Sequence, residues 1–206
     1  MKQPIRNFRA LDYPHGSVTQ WFKEHPELYA RFGLKGHNGI DIVDDYGAPI
    51  YAVEDGIVIV VQDDPAGYGK CVRIQSGNNE WVYAHASVNL VTLGEKVVAG
   101  QEIQKMGNTG FVLGRGFINP WWSKTPIADH GGTHLHLGLR KTKLDIHGFS
   151  YHNEPKHIVL NYDNGYKGSV NFREELENCS PVVVDLKKKQ TLLIQLLTSF
   201  IYMFKR

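Results

Sequence analysis

From Ile40 to Ile103 the chain is a succession of short apolar runs broken by turn formers, and that rhythm fixes its fold class. Ile50-Tyr51-Ala52-Val53, Gly56-Ile57-Val58-Ile59-Val60-Val61, Cys71-Val72-Arg73-Ile74-Gln75 and Trp81-Val82-Tyr83-Ala84-His85 are rich in β-branched and aromatic residues. Such residues suit a pleated, half-buried surface. Between them, Asp63-Asp64-Pro65-Ala66-Gly67 and Ser76-Gly77-Asn78-Asn79 read as turns, and Leu93-Gly94-Glu95-Lys96 precedes a further strand. Strands this short and closely spaced predict a mainly β protein, an antiparallel β-sandwich. The 206 residues are enough for one well-buried domain with appendages.

Outside this stretch the texture changes. Residues 1–33 read as a lead-in segment, with short helical pieces at Ser17-Val18-Thr19-Gln20-Trp21-Phe22 and Leu28-Tyr29-Ala30-Arg31-Phe32, and Pro26 restricting any continuous helix. The domain proper is placed at 34–180. Within it, residues 111–133 form a long loop holding Asn119-Pro120-Trp121-Trp122, either a rim for a substrate groove or a segment packed on its own scaffold. After Arg140 polarity rises and the chain is predicted to be irregular, with a last strand or the far wall of a cleft as its contribution. His147, His152 and His157 there lack metal-like spacing and read as surface or locally hydrogen-bonded residues. In 181–206, Leu192, Leu193, Leu196, Leu197, Phe200, Ile201 and Phe204 recur at helical spacing between basic clusters. That pattern predicts a C-terminal amphipathic helix, too short to span a bilayer, contacting a membrane surface or a protein through 187–206, or packing on the domain.

Charge and cysteine content exclude several classes. A net charge of +2 is too mild to argue for nucleic acid; it is compatible with an anionic polymer such as a bacterial wall, and an ordinary solvated surface accounts for it better. Two cysteines, Cys71 and Cys179, provide neither a disulfide framework nor a thiolate metal site. Met1-Lys2-Gln3-Pro4-Ile5-Arg6 lacks the apolar stretch of a secretory signal. Action outside the cytoplasm then implies a companion export system, release by lysis or carriage on a phage-like particle.

The chemistry lies in three stretches: His37-Asn38-Gly39-Ile40-Asp41, Tyr83-Ala84-His85 and His134-Leu135-His136. His134 and His136 alternate onto one face of a strand. Four histidines and an aspartate are the donors that bind zinc while leaving a coordination position open, the mark of a catalytic site rather than a structural one. A lone His-X-His is a weak signal, but three stretches together are a strong one.

These stretches, with Gly107-Asn108-Thr109-Gly110 and His134-Leu135-His136-Leu137-Gly138, resemble the ordered motifs of lysostaphin/LytM-type zinc metalloendopeptidases. The resemblance runs from about Leu34 to Arg140 and is reinforced by Gly47-Ala48-Pro49-Ile50-Tyr51-Ala52 and Asp55-Gly56-Ile57-Val58. It implies one zinc ion held by His37, Asp41 and His136, with His85 and His134 as the unligated catalytic pair beside it. It also implies cleavage of peptide cross-links or bridges of bacterial peptidoglycan, at the cell wall, by a metal-activated water. Which of His85 and His134 takes the proton is left open, and Tyr29 is a further candidate donor to the oxyanion. The rival is a non-catalytic module of the same fold that binds peptidoglycan or activates a hydrolase; such modules lose ligands, and none is missing here. Two departures stand out. The 111–133 loop intervenes before His-X-His, and Ala86 follows His85 where a larger apolar residue is common.

Overall fold

The computed structural model describes residues 1–114, 117–118, 130–149 and 155–182. The tryptophans of the 111–133 loop, His152 and the predicted C-terminal helix lie outside the described residues. The runs between Ile40 and Ile103 form strands as their composition dictates: β2 (Ile40–Ile42), β3 (Pro49–Tyr51), β4 (Gly56–Asp64), β5 (Gly69–Ser76), β6 (Asn79–Ala86), β7 (Val88–Asn89), β8 (Lys96–Val97) and β9 (Glu102–Lys105). They are preceded by β1 (Val18–Gln20) and followed by β10 (Leu113–Gly114), β11 (Phe117–Ile118), β12 (Leu135–Phe149) and β13 (Pro155–Val159). The large sheet runs β1-β2-β12-β6-β5-β4-β8, with β13 added to β12. A smaller sheet runs β3-β9-β7. Every ladder within these sheets is antiparallel.

Alternation along the strands divides the large sheet into a core face and an open face. Leu135, Leu137 and Leu139 of β12, Ile40 and Ile42 of β2, and Trp81 and Tyr83 of β6 join Ile50, Ile103 and Met106 from the small-sheet side in one buried cluster. On the other face, His136 and Arg140 of β12 and Asp41 of β2 line a cleft. The helix α2 (Arg173–Glu177) adds Leu176, and Phe172 before it sets its ring edge-on to Trp81 with centroids 5.3 Å apart.

Two expectations are corrected. Residues 17–22 are not helical: Val18 pairs with Ile42, and its side chain, 1% exposed, enters the core. A β-branched Val18-Thr19 pair beside the free edge of β2 gains ladder bonds and burial that an isolated half-turn of helix lacks. Pro26 limits helix as expected: none runs through it, and it is the first residue of α1 (Pro26–Tyr29), where its missing N–H costs nothing. The chain after Arg140 supplies the expected last strand and is irregular from Leu160 to Phe172, but up to Phe149 it is regular strand. Strand β12 continues to Phe149 and folds back through β13, pairing Thr142 with Val159 and Leu144 with His157. Thr142 Oγ1 lies 3.3 Å from His157 Nδ1.

Candidate metal centre

Strands β2 and β12 lie side by side with His136 opposite Asp41, so strict alternation delivers both side chains to the open face together. His37 arrives from the loop ahead of β2, held by backbone bonds from its N–H to the Glu24 carbonyl and from the Lys23 N–H to its own carbonyl. Three atoms converge: His37 Nε2 lies 2.9 Å from His136 Nδ1 and 3.0 Å from Asp41 Oδ1, and His136 Nδ1 lies 3.1 Å from Asp41 Oδ1. A tetrahedral zinc with nitrogen bonds of ~2.0–2.1 Å separates its ligands by about 3.3 Å. The triangle is within a few tenths of an ångström of that spacing, and two imidazoles with a carboxylate suit zinc chemically.

The surrounding groups fix how these donors present themselves. His37 Nδ1–H donates to the Trp21 carbonyl at 3.1 Å, which leaves Nε2 with its lone pair toward the triangle. Burial, only partly offset by Asp41, pushes the His136 pKa down to about 4, so this ring is neutral. Burial alone would raise Asp41, but the surrounding His37, His134 and His136 imidazoles hold it well below the usual carboxylate range, so it meets the triangle as an anion. The glycines of the motifs make room for His136. A Cβ on Gly39 would lie 2.5 Å from His136 Cε1 and 2.7 Å from its Nε2.

His85 and His134 complete the cleft on different terms. Along β6, Trp81 and Tyr83 face the core, and parity would send His85 after them. A bulge against β5 between Lys70 and Val72, together with a left-handed φ of 65° at His85, re-aims the imidazole to the open face. Its Nδ1–H donates to the Thr109 carbonyl at 2.8 Å. His134 Nδ1–H donates to the Gly132 carbonyl at 2.7 Å, and its Nε2 stands 3.8 Å from Asp41 Oδ2. The two rings are 4.8 Å apart, each with Nε2 left as the acceptor. Burial first, then the neighbouring His134 and His136, lower the His85 pKa well below its ordinary value.

The Gly107-Asn108-Thr109-Gly110 stretch supports this half. Thr109 supplies the carbonyl to His85, and its Oγ1 accepts from the Lys70 N–H at 2.9 Å and donates to the Ala86 carbonyl at 2.7 Å. Gly107 passes so close to the end of β6 that a Cβ would lie 2.2 Å from the Ser87 nitrogen.

Four of the five residues singled out in the sequence, Asp41, His85, His134 and His136, line one cleft of about 720 Å3, and the fully buried His37 touches Asp41 and His136 behind it. Tyr29 also lines it, stacked on His37 at 5.2 Å, with its hydroxyl donating to Gln20 Oε1 at 2.9 Å. Sequence reasoning missed Tyr68, whose hydroxyl accepts from Asn38 Nδ2 at 2.7 Å and whose ring sits 5.2 Å from that of His136. Gly67-Tyr68-Gly69 reads only as the end of a turn; the one signal is an aromatic ring placed between two glycines. Arg73 and Arg140 were missed as well, since each reads as an ordinary outward position on a strand.

The chain is also similar to known proteins. Over 79 residues the chain is 43% identical to the peptidoglycan DD-endopeptidase ShyA of Vibrio cholerae, a match covering 38% of this chain and 18% of that protein. Over 98 residues it is 39% identical to the murein hydrolase activator NlpD of Escherichia coli, covering 46% of this chain and 25% of that one. The chain therefore spans a quarter or less of the length of these two relatives. Among solved structures, the catalytic domain of the prophage-encoded M23 protein EnpA from Enterococcus faecalis is 28% identical, with a TM-score of 0.46, covering 72% of this chain and 90% of that one. Residues 35–147, more than half of the sequence and all five candidate site residues, match peptidase family M23, and the chain belongs to that family.

Proposed function

We propose that this protein is a zinc-dependent endopeptidase that hydrolyses peptide cross-links or bridges of bacterial peptidoglycan at the cell wall. The observation that carries the reading is the convergence of His37 Nε2, Asp41 Oδ1 and His136 Nδ1 within 3.1 Å of one another, beside two histidines whose Nδ1 atoms are each held by a backbone carbonyl. His37, Asp41 and His136 would hold the metal, which when bound polarises a scissile carbonyl and acidifies a nearby water. His85 and His134 handle the protons. Each is fixed in one tautomer by a backbone carbonyl, so one Nε2 accepts the proton of the attacking water. The other, once protonated, hydrogen-bonds the developing oxyanion or the departing amine. Tyr29 is kept protonated by its burial and walls the cleft beside His37.

A second reading, an activator that binds peptidoglycan without cutting it, draws support from the likeness to a murein hydrolase activator. The complete set of donors weighs against it, because a purely binding module has no use for an open metal site. Zinc content and release of new amine termini from purified peptidoglycan separate the two. The parent protein should bind one zinc and release amines, and His136→Ala should do neither. A parent that holds zinc yet releases no amine from any wall type overturns the endopeptidase reading.

A further inference from the structure

Arg140 lies on the same face of β12 as His136 and four residues further along, about 13 Å at the ~3.3 Å rise of a strand. Its side chain is 5% exposed, and Nη1 donates to Glu80 Oε1 at 2.9 Å from the directly opposed position on β6. Arg73, on β5, brings its Nη1 within 3.8 Å of the same oxygen. Two guanidinium groups therefore share one carboxylate, leaving a net charge of +1 in a largely buried place, where an uncompensated charge is costly. The Nε atoms of both arginines are buried and have no hydrogen-bond partner among the described residues. A strand-to-strand ion pair needs one arginine; the second arginine and the unused donors answer no need of the fold. Both side chains line the cleft that holds His85, His134 and His136. Tyr68 joins the two regions, packed against Cys71, Val82 and Ala84 on one side and facing the His136 ring on the other.

We propose that Arg73 and Arg140, both anchored on Glu80, form an anion subsite on the cleft floor that takes a free carboxylate of the substrate peptide about four residues from the bond that is cut. The inference rests on the peptidase reading of the cleft and specifies the substrate that cleft accepts. One surplus positive charge matches one carboxylate, and the planar guanidinium fork suits its two oxygens. The spacing is that of an extended peptide lying along β12.

The test reads binding rather than turnover. Affinities of the zinc-loaded full chain are measured for a synthetic pentapeptide of the wall-stem type with free carboxylates, and for the same peptide with every carboxyl amidated. The parent should prefer the free acid about tenfold or more. Arg73→Gln, changed at the more exposed of the two arginines, should bind both peptides within about twofold of each other. Arg140→Lys keeps a charge for Glu80 but loses the fork, and should fall between. Thermal melting of each variant checks that it is folded. Equal affinities in the parent, or an undiminished preference in Arg73→Gln, overturn the subsite; the latter would mean that the metal captures the carboxylate, since that variant keeps the whole triad. A protein that prefers the free acid but releases no amine from peptidoglycan overturns the endopeptidase reading and leaves the subsite standing.

Discussion

The two halves of the cleft are built in different ways. His136 and Asp41 stand on regular, directly paired strands, where side-chain direction follows from alternation alone. His85 and His134 stand where the backbone departs from regularity: one on a bulge with a left-handed φ, the other at the foot of β12, each tied to a single carbonyl. The contrast matches the tasks proposed for them. A metal needs three donors at fixed spacing, which a hydrogen-bonded ladder supplies. Groups that gain and lose protons need one nitrogen held and the other open to the cleft, which a strand end or bulge supplies.

Removing one residue from each half gives the largest and most discriminating effects. Asp41→Ala should lose both zinc and cleavage, with the rate on purified peptidoglycan falling by more than ~1000-fold. His85→Ala should keep its zinc and lose about 100- to 10,000-fold in kcat, the range expected when a general acid or base is removed. Zinc content by elemental analysis beside amine release reads both quantities. If His85→Ala also loses its metal, the division of labour between the halves is wrong.

A smaller effect follows from the backbone beneath the triad. Gly39→Ala places a methyl group 2.5 Å from His136 Cε1 and 2.7 Å from the Leu137 carbonyl, so the imidazole must tilt away from the triangle. Zinc affinity should fall about 10- to 100-fold, as when an orienting contact to a metal ligand is lost, and overpacking should cost about 1–3 kcal/mol of stability. At saturating zinc, most of the activity should return. Competition with a chelator measures the affinity, and an unchanged value would mean that Gly39 serves only the turn into β2.

The same contrast explains what could be read from the residues in order. The core strands were legible because they follow from a period of two and a run of apolar residues, whereas the meeting of Asp41 with His136 was implied only by the resemblance to a known family. The five site residues were legible because their types and motifs are distinctive. The aim of His85 was not, since parity along Trp81-Val82-Tyr83-Ala84-His85 points it into the core, and only the bulge against β5 turns it round. The strand at Val18 was hidden because its stability comes from Ile42, a partner 24 positions away, rather than from local preference. The arginine pair was hidden for a related reason: Arg73, Glu80 and Arg140 belong to three strands, and nothing local marks their meeting.

The smallest prediction tests the proton-handling half without touching a histidine. Thr109 holds His85 through its carbonyl, and that carbonyl is positioned by its own hydroxyl, which pins the segment to Lys70 and to Ala86. Thr109→Ala leaves the Lys70 N–H and the Ala86 carbonyl without that partner, at a cost of about 1–3 kcal/mol in stability. The carbonyl facing His85 Nδ1 becomes less firmly placed, so kcat should fall several-fold, by analogy with the loss of other orienting contacts. KM and zinc content should hold, because the side-chain and carbonyl hydrogen bonds of Thr109 run to Lys70, Ala86 and His85 and not to the triad. Thr109→Ser restores the hydroxyl and should restore the rate. A fall in zinc content parallel to the fall in kcat would show that the bulge and the paired strands move together, and the two halves would then be one mechanical unit despite their different construction.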